Sequence, residues 1–315
     1  MSALQDRLEE YLAVRRSLGY KLREPACCLR KFVALADHEG SEHITVELAL
    51  RWATQATKAQ PATWAARLGM VRCFATWCNA LDPRTEVPPK GLLPHRYRRK
   101  RPYIYRDAEI DQVVDAARQL PSAKGLRAPT YATIFGLLAV TGMRVSEATA
   151  LDRRDVDLAE GILTVRRTKL DRSRFVPVHP TTRDALADYA ECRDRAVMVC
   201  FTEAFFISER GTRITGCSTR YNFAKVSRDV GLREPSGGHR HGRGPRLHDM
   251  RHRFAVRTLL DWYRAGLDVE REIPKLATYL GHVHVNDTYW YLEAVPELLE
   301  LATARLVDGH KEGEA

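Results

Sequence analysis

The chain has 315 residues, enough for two domains that each bury a core. With 44% hydrophobic and 29% charged residues it is a folding chain and not a disordered one, and it holds no apolar run long enough to span a bilayer. Fifty Lys and Arg against 40 Asp and Glu give a net charge of +10, an excess that favours polyanionic partners, although a basic metabolic enzyme could carry it too.

The N-terminal stretch MSALQDRLEEYLAVRRSLGY is amphipathic and carries acids, so it does not read as a signal peptide. Leu4, Leu8, Leu12 and Leu18 form a helical stripe that ends at Gly19. CCLRKFVALADHEG predicts a second helix stopped by Gly40, and TVELALRWATQA a third with Thr45 as its N-cap. In ATWAARLGMVRCFATWCNAL, a fourth helix, Trp64, Leu68, Val71, Phe74 and Trp77 fall broadly on one side. Residues 1–85 therefore read as a small all-helical domain. The seven cysteines include no paired C-x-x-C and sit in apolar contexts such as PACCLRKFV. They point to core thiols in a reducing cytoplasm and away from a zinc site.

Five prolines between Asp82 and Pro102 break the periodicity and mark a linker over 86–106. Within it HRYRRKRPYIYR carries Arg96, Arg98, Arg99, Lys100, Arg101 and Arg106 without an acid, interleaved with Tyr97, Tyr103 and Tyr105. Such cations can neutralise phosphates while the rings pack on sugars or bases; the plain alternative is a solvated basic linker. The second domain, 107–300, opens with two helical patterns, DAEIDQVVDAARQL and TYATIFGLLAVTG. GILTVRRTKLDRSRFVPVHP then alternates like two strands joined by a charged turn. More helices follow in TTRDALADYAECRDRA, STRYNFAKVSRDVGL, HDMRHRFAVRTLLDWY, PKLATYLG and PELLELATARL, with AGLDVERE read as a loop. The stretch EPSGGHRHGRGPR, holding Arg240, Arg243 and Arg246, is basic enough to meet an anion, and 301–315 forms a C-terminal tail. The class is mainly α with a small antiparallel β-sheet.

Four segments carry residues suited to chemistry. In TGMRVSEATAL, Arg144 and Glu147 are three apart between apolar flanks, so Arg144 is shielded from open solvent and needs an anion; a surface ion pair is the ordinary alternative. Lys169 sits at the tip of the predicted hairpin, where a lysine alone means little. His248 and Arg251 share the start of a helix in RLHDMRHRF; His248 and His252 have metal-ligand spacing, but Asp249 stands where a zinc hydrolase needs Glu. YLGHVHVNDTYWYL brings His282 close to Tyr289 and Tyr291.

In this order the segments resemble the boxes of the tyrosine recombinase (phage integrase) family, across about residues 107–300. The resemblance implies a SAM-like helical core-binding domain followed by a mixed α/β catalytic domain. It implies Arg144, Lys169, His248, Arg251 and His282 as active-site residues and Tyr291, nine positions after His282, as the nucleophile. Tyr289, some 200° around the helix, should pack in the core or against a neighbour. Glu147 would orient Arg144. The two arginines would clamp a phosphodiester and lower the Tyr291 pKa, with His248 taking its proton, Lys169 protonating the leaving 5′ oxygen and His282 donating to a phosphate oxygen.

By the same resemblance the protein is a site-specific DNA recombinase of the cytoplasm and nucleoid that needs neither metal nor cofactor. It would encircle duplex DNA with both domains and assemble as a tetramer. The C-terminal helix would either dock on a neighbouring protomer or fold back on its own core. Type IB topoisomerase-like nicking, a non-catalytic DNA-binding regulator and a metal-dependent nuclease are the competing readings.

Overall fold

A computed structural model describes residues 2–57, 59–95, 101–166, 173–198, 200–234 and 244–294. The chain divides into two compact units, Met1–Lys100 and Arg101–Ala315.

The first unit is built from α1 (Ala3–Ser17), α2 (Arg23–His38), α3 (Val46–Thr54) and α4 (Pro61–Leu81). Ser2 caps α1 and Thr45 caps α3, each side-chain oxygen accepting from a backbone N–H three residues on. Leu4, Leu8, Leu12, Phe32, Val33, Leu68, Val71 and Phe74 bury fully in its core, each contributing about 1.5–3 kcal/mol of transfer free energy. Leu18 departs from the expected stripe. It follows the last turn of α1, where Gly19 takes φ +86°, and is 66% exposed. Among the cysteines only Cys78 is buried, while Cys27, Cys73 and Cys217 are exposed, so the expectation of core thiols fails for those three. All three lie on helices, whose period turns them outward.

The second unit starts with α5 (Asp107–Arg118), α6 (Arg127–Thr141) and the one-turn α7 (Val145–Ala148). A three-stranded antiparallel sheet follows: β1 (Val156–Asp157), β2 (Ile162–Val165) and β3 (Arg174–Pro177). The β2–β3 pairing sets Ile162 opposite Pro177 and Val165 opposite Arg174, so Leu163, Val165 and Val176 face the core. β1 is too short to leave an alternating pattern in the sequence. The unit is completed by α8 (Pro180–Ala196), α9 (Gly216–Asp229), α10 (Leu247–Arg264), α11 (Val269–Leu280) and α12 (Asn286–Ala294). Val269–Glu272, expected in a loop, form the first turn of α11, where Asp268 accepts from the Arg271 N–H as N-cap. Pro274 lies inside α11, where its missing N–H leaves the Glu270 carbonyl without its i→i−4 donor.

Residues 101–106 belong to the second unit, which corrects the role expected of Tyr105. Tyr105 is 2% exposed and its hydroxyl donates to the Arg246 carbonyl at 3.2 Å, while the Tyr103 hydroxyl donates to Glu109 at 2.7 Å. Both rings pack edge to face at 5.0 Å. Tyr105 is thus a core residue, not a stacking surface for bases.

Two helix ends carry glycines in the left-handed region. α6 closes on Gly142 at φ +61°, whose N–H donates to Leu138 O. α11 closes on Gly281 at φ +68° in a Schellman pair: Gly281 N donates to Thr278 O and His282 N to Ala277 O. A Cβ on Gly142 would lie 2.7 Å from the Phe254 ring, whereas one on Gly136, inside α6, would meet nothing within 4 Å. Gly142→Ala should therefore lower stability by about 2–5 kcal/mol, combining the left-handed backbone penalty with an overpacked contact. Gly136→Ala should raise it by about 0.5–1 kcal/mol. Urea unfolding of both variants measures this; equal stabilities would show that Phe254 and the helix end yield freely.

Candidate active site

Arg251, in the second turn of α10, is 2% exposed. One terminal nitrogen donates to Gly142 O at 2.8 Å and the other to Leu280 O at 2.6 Å. Both acceptors lie at helix C-termini, where unpaired carbonyls concentrate partial negative charge. Arg144 leans on the same turn, donating to Leu280 O at 3.5 Å and Gly281 O at 3.3 Å. Desolvation, then repulsion from Arg144, pushes the Arg251 pKa down to about 10, still charged at neutral pH. Two cations are therefore held side by side by peptide dipoles.

Glu147 supplies the fixed negative charge. The Arg144 backbone N–H and guanidinium donate to its two oxygens, each at 2.8 Å. Arg174, on β3, grips the same carboxylate with both terminal nitrogens, at 3.1 and 2.8 Å, and donates from Nε to Tyr279 O at 2.7 Å. Burial opposes the Glu147 charge, but the Arg174 hydrogen bonds and charge, with those of Arg144, outweigh it and hold the carboxyl below its ordinary range. Two guanidiniums, those of Arg144 and Arg174, thus grip one hydrogen-bonded carboxylate. Arg174 was not among the expected site residues. Its signal was positional only: in a strand of alternating pattern it faces the same side as the buried Val176. Gly281 makes room for it, since a Cβ there would lie 2.9 Å from the Arg174 guanidinium.

Tyr291 is 3% exposed and Tyr289 39% exposed. Of the two places expected for Tyr289, the core and a neighbour, the core is excluded; the buried face of α12 is that of Thr288 and Tyr291. The Tyr291 ring stacks near His282 (centroids 6.1 Å, planes 21° apart) and tilts against His252 at 5.5 Å. The expected fall in its pKa is not found. Burial raises it, and the charge and hydrogen bonding of Arg251, followed by the charge of Arg144, offset this only in part. A neutral phenol loses little on burial, a phenolate a great deal.

The histidines surrounding Tyr291 are uncharged at neutral pH. His248 keeps one side open to solvent; the protein around its other side, then Arg251 and Arg144, push its pKa down to about 4. Burial, with Arg251 and Arg144, does the same to His282, also to about 4. His252 falls to about 3 by burial and the neighbouring His248. Its ring lies 4.8 Å from that of His248, 5.2 Å from that of Trp290 and 5.5 Å from that of Tyr291. The structure thus brings Arg144, Glu147, His248, Arg251, His282 and Tyr291 together and adds Arg174 and His252.

Lys169 lies outside the described residues, as do Arg96, Arg98, Arg99, Lys100, Arg240, Arg243 and the tail 301–315. Arg101 is exposed. Arg246, the N-cap of α10, lines a cavity of about 400 Å³ with Arg144, Arg220, Arg233 and His248; Arg220 and Arg233 were not anticipated. Among the described residues no cluster of His, Cys, Asp or Glu could hold a metal, and no helix is long and apolar enough to cross a membrane.

Residues 105–297 match the model of the phage integrase family. The chain is 45% identical over 313 residues to the integrase/recombinase named y4rB of Sinorhizobium fredii, spanning 97% of this chain and 98% of the relative. The Tn1549 transposon integrase, solved in complex with transposon right end DNA, superposes with a TM-score of 0.68 at 15% identity, over 98% of this chain and 99% of that one. A lambda integrase, solved as a tetramer bound to a Holliday junction, gives 0.57 at 18% identity over 89% and 77%. The likeness in structure is one of fold; the sequence matches, over most of the chain, carry the assignment. The chain belongs to the phage integrase family.

Proposed function

We propose that this protein is a site-specific DNA recombinase that cleaves and rejoins duplex strands through a 3′-phosphotyrosyl intermediate on Tyr291. The observation that carries the reading is Arg251: a buried guanidinium, hydrogen-bonded to two carbonyls and no acid, beside a buried phenol. A phosphodiester is the anion that suits such a pair of arginines, because each guanidinium presents paired N–H donors to non-bridging oxygens.

In the proposed reaction the Tyr291 oxygen bonds to phosphorus and the bond from phosphorus to the 5′ oxygen breaks. Arg144 and Arg251 neutralise the charge that builds on the non-bridging oxygens. His248, uncharged beforehand, accepts the phenolic proton, and Lys169 gives one to the departing 5′ oxygen. The energy of the broken bond is kept in the phosphotyrosine, so religation needs no nucleotide triphosphate. Glu147, shared by Arg144 and Arg174, keeps the first arginine in place. Residues 1–85 serve as a core-binding domain, 86–106 as a linker along the phosphate backbone, 107–300 as the catalytic domain, and 301–315 as the segment exchanged between protomers. Structural neighbours solved on DNA and as a tetramer support duplex DNA as the partner and four protomers as the working assembly; the place of action we propose is the cytoplasm, at the nucleoid.

On a nicked duplex that traps the intermediate, in chelator, the wild type should form a covalent protein–DNA adduct. Tyr291→Phe should bind the duplex with unchanged affinity and form none, while Tyr289→Phe should still form it. Adduct in the first variant and not in the second would move the nucleophile to Tyr289. For the linker, replacing Arg98, Arg99 and Arg101 together by Ala should weaken DNA binding and reduce the slope of log K against log salt by up to about 3, near one unit for each phosphate left without its cation. An unchanged slope, read by titration at several salt concentrations, would return these residues to ordinary solvated charge.

A further inference from the structure

His282 and Thr288 form a pair that the catalytic reading leaves unexplained. The His282 Nδ1 and the Thr288 hydroxyl oxygen are 2.7 Å apart, and Thr288 is fully buried. Threonines inside the helices of this protein usually bond backward along their own helix: Thr130 to Leu126 O, Thr141 to Leu137 O, Thr258 to Phe254 O and Thr278 to Pro274 O, at 2.6–2.9 Å. Thr288, at the start of α12, bonds instead to a ring six residues earlier, on the turn that ends α11.

A hydroxyl has one hydrogen to give. If His282 carried its proton on Nδ1, Thr288 would accept it and its own buried hydrogen would face no acceptor in this bond. If Thr288 donates, Nδ1 is the acceptor, and an uncharged ring then carries its proton on Nε2. The second arrangement satisfies both groups. The ring is also anchored from behind, since the His282 backbone N–H donates to Ala277 O at 2.9 Å in the Schellman turn.

We propose that Thr288 is a positioning residue that fixes His282 as the Nε2–H tautomer, making it a hydrogen-bond donor aimed at the same phosphate oxygens as Arg144 and Arg251. Thr288 lies three residues before Tyr291, hence on the same face of α12. The arrival of the tyrosine and the choice of tautomer are thereby coupled: the helix turn that brings the phenol to His282 also brings the hydroxyl that sets the ring's proton. The purpose of this proton rests on the strand-transfer reading above; the tautomer itself does not.

Two measurements on the full chain test this. In ¹⁵N-histidine NMR spectra of the DNA-free protein, with His282 assigned by loss of its signals in His282→Ala, the wild type and Thr288→Ser should show the Nε2–H form. Thr288→Val, which keeps the shape and removes the hydroxyl, should show a mixture. A wild-type Nδ1–H form, or no change in the Val variant, would overturn the proposal. In the nicked-duplex assay Thr288→Val should slow adduct formation about 10- to 100-fold at unchanged DNA affinity, the size of one hydrogen bond to a charged group, and Thr288→Ser should rescue it. In a His282→Ala background Thr288→Val should cost nothing further. The same loss without the histidine would make Thr288 merely structural and refute the role. If the wild type gives no adduct while the spectra agree, the strand-transfer reading falls and the tautomer assignment stands.

Discussion

The site depends on two neighbouring guanidiniums, of which Arg144 is paired with Glu147 while Arg251 has only carbonyls as hydrogen-bond partners. Like charges at close range in a low dielectric repel by several kcal/mol, and Arg251 also loses its water. The fold meets both costs with the carbonyl ends of α6 and α11, which converge so that Gly142, Leu280 and Gly281 present their oxygens to Arg144 and Arg251. Helix ends ordinarily leave such groups to solvent. Here they neutralise cations only in part, and that partial compensation is the useful property. A fully matched salt bridge would have no reason to release its arginine to a phosphate, whereas carbonyl partners can be exchanged for an anion with a gain in charge complementarity.

Around this pair the other groups fall into ranks by distance from the charge. Glu147 is placed to hold Arg144 from behind, and Arg174 ties that carboxylate to the sheet and to the last turn of α11. One carboxylate thus joins α7 to β3 and, through Arg174, to α11, more than a hundred residues further along the chain. The histidines contribute no charge in the DNA-free protein, because the arginines and burial keep them neutral. Tyr291 likewise rests as a neutral phenol in an aromatic cluster with His252 and Trp290. An approaching phosphate would reverse the field at each of these groups simultaneously.

Much of this was legible in the sequence. Apolar periodicity located the helices, alternation located β2 and β3, and three short segments singled out Arg144, His248, Arg251, His282 and Tyr291, which the fold brings together. What escaped was whatever depends on tertiary approach. Arg174 lies in a strand of ordinary alternation, and nothing local says that its side chain crosses to Glu147. Tyr103 and Tyr105 look like part of a basic tract, but their hydroxyls find Glu109 and the Arg246 carbonyl, and the Tyr105 ring turns inward while that of Tyr103 stays partly exposed. The direction of the Tyr291 shift was also beyond reach, because proximity to arginines was evident from the motifs while the depth of burial was not. Which of two opposing effects wins is a matter of packing, and packing is a property of the assembled fold.

Gly281 shows how concentrated this arrangement is. Its left-handed turn ends α11, its carbonyl faces Arg144, its bare α-carbon lets Arg174 pass, and the next residue is His282. One hydrogen atom in place of a side chain thereby serves four unrelated geometric demands. A methyl group at this point would disturb them all together, so the locus offers natural variation no gradual route: the cost of the first step is that of several distant changes made at once.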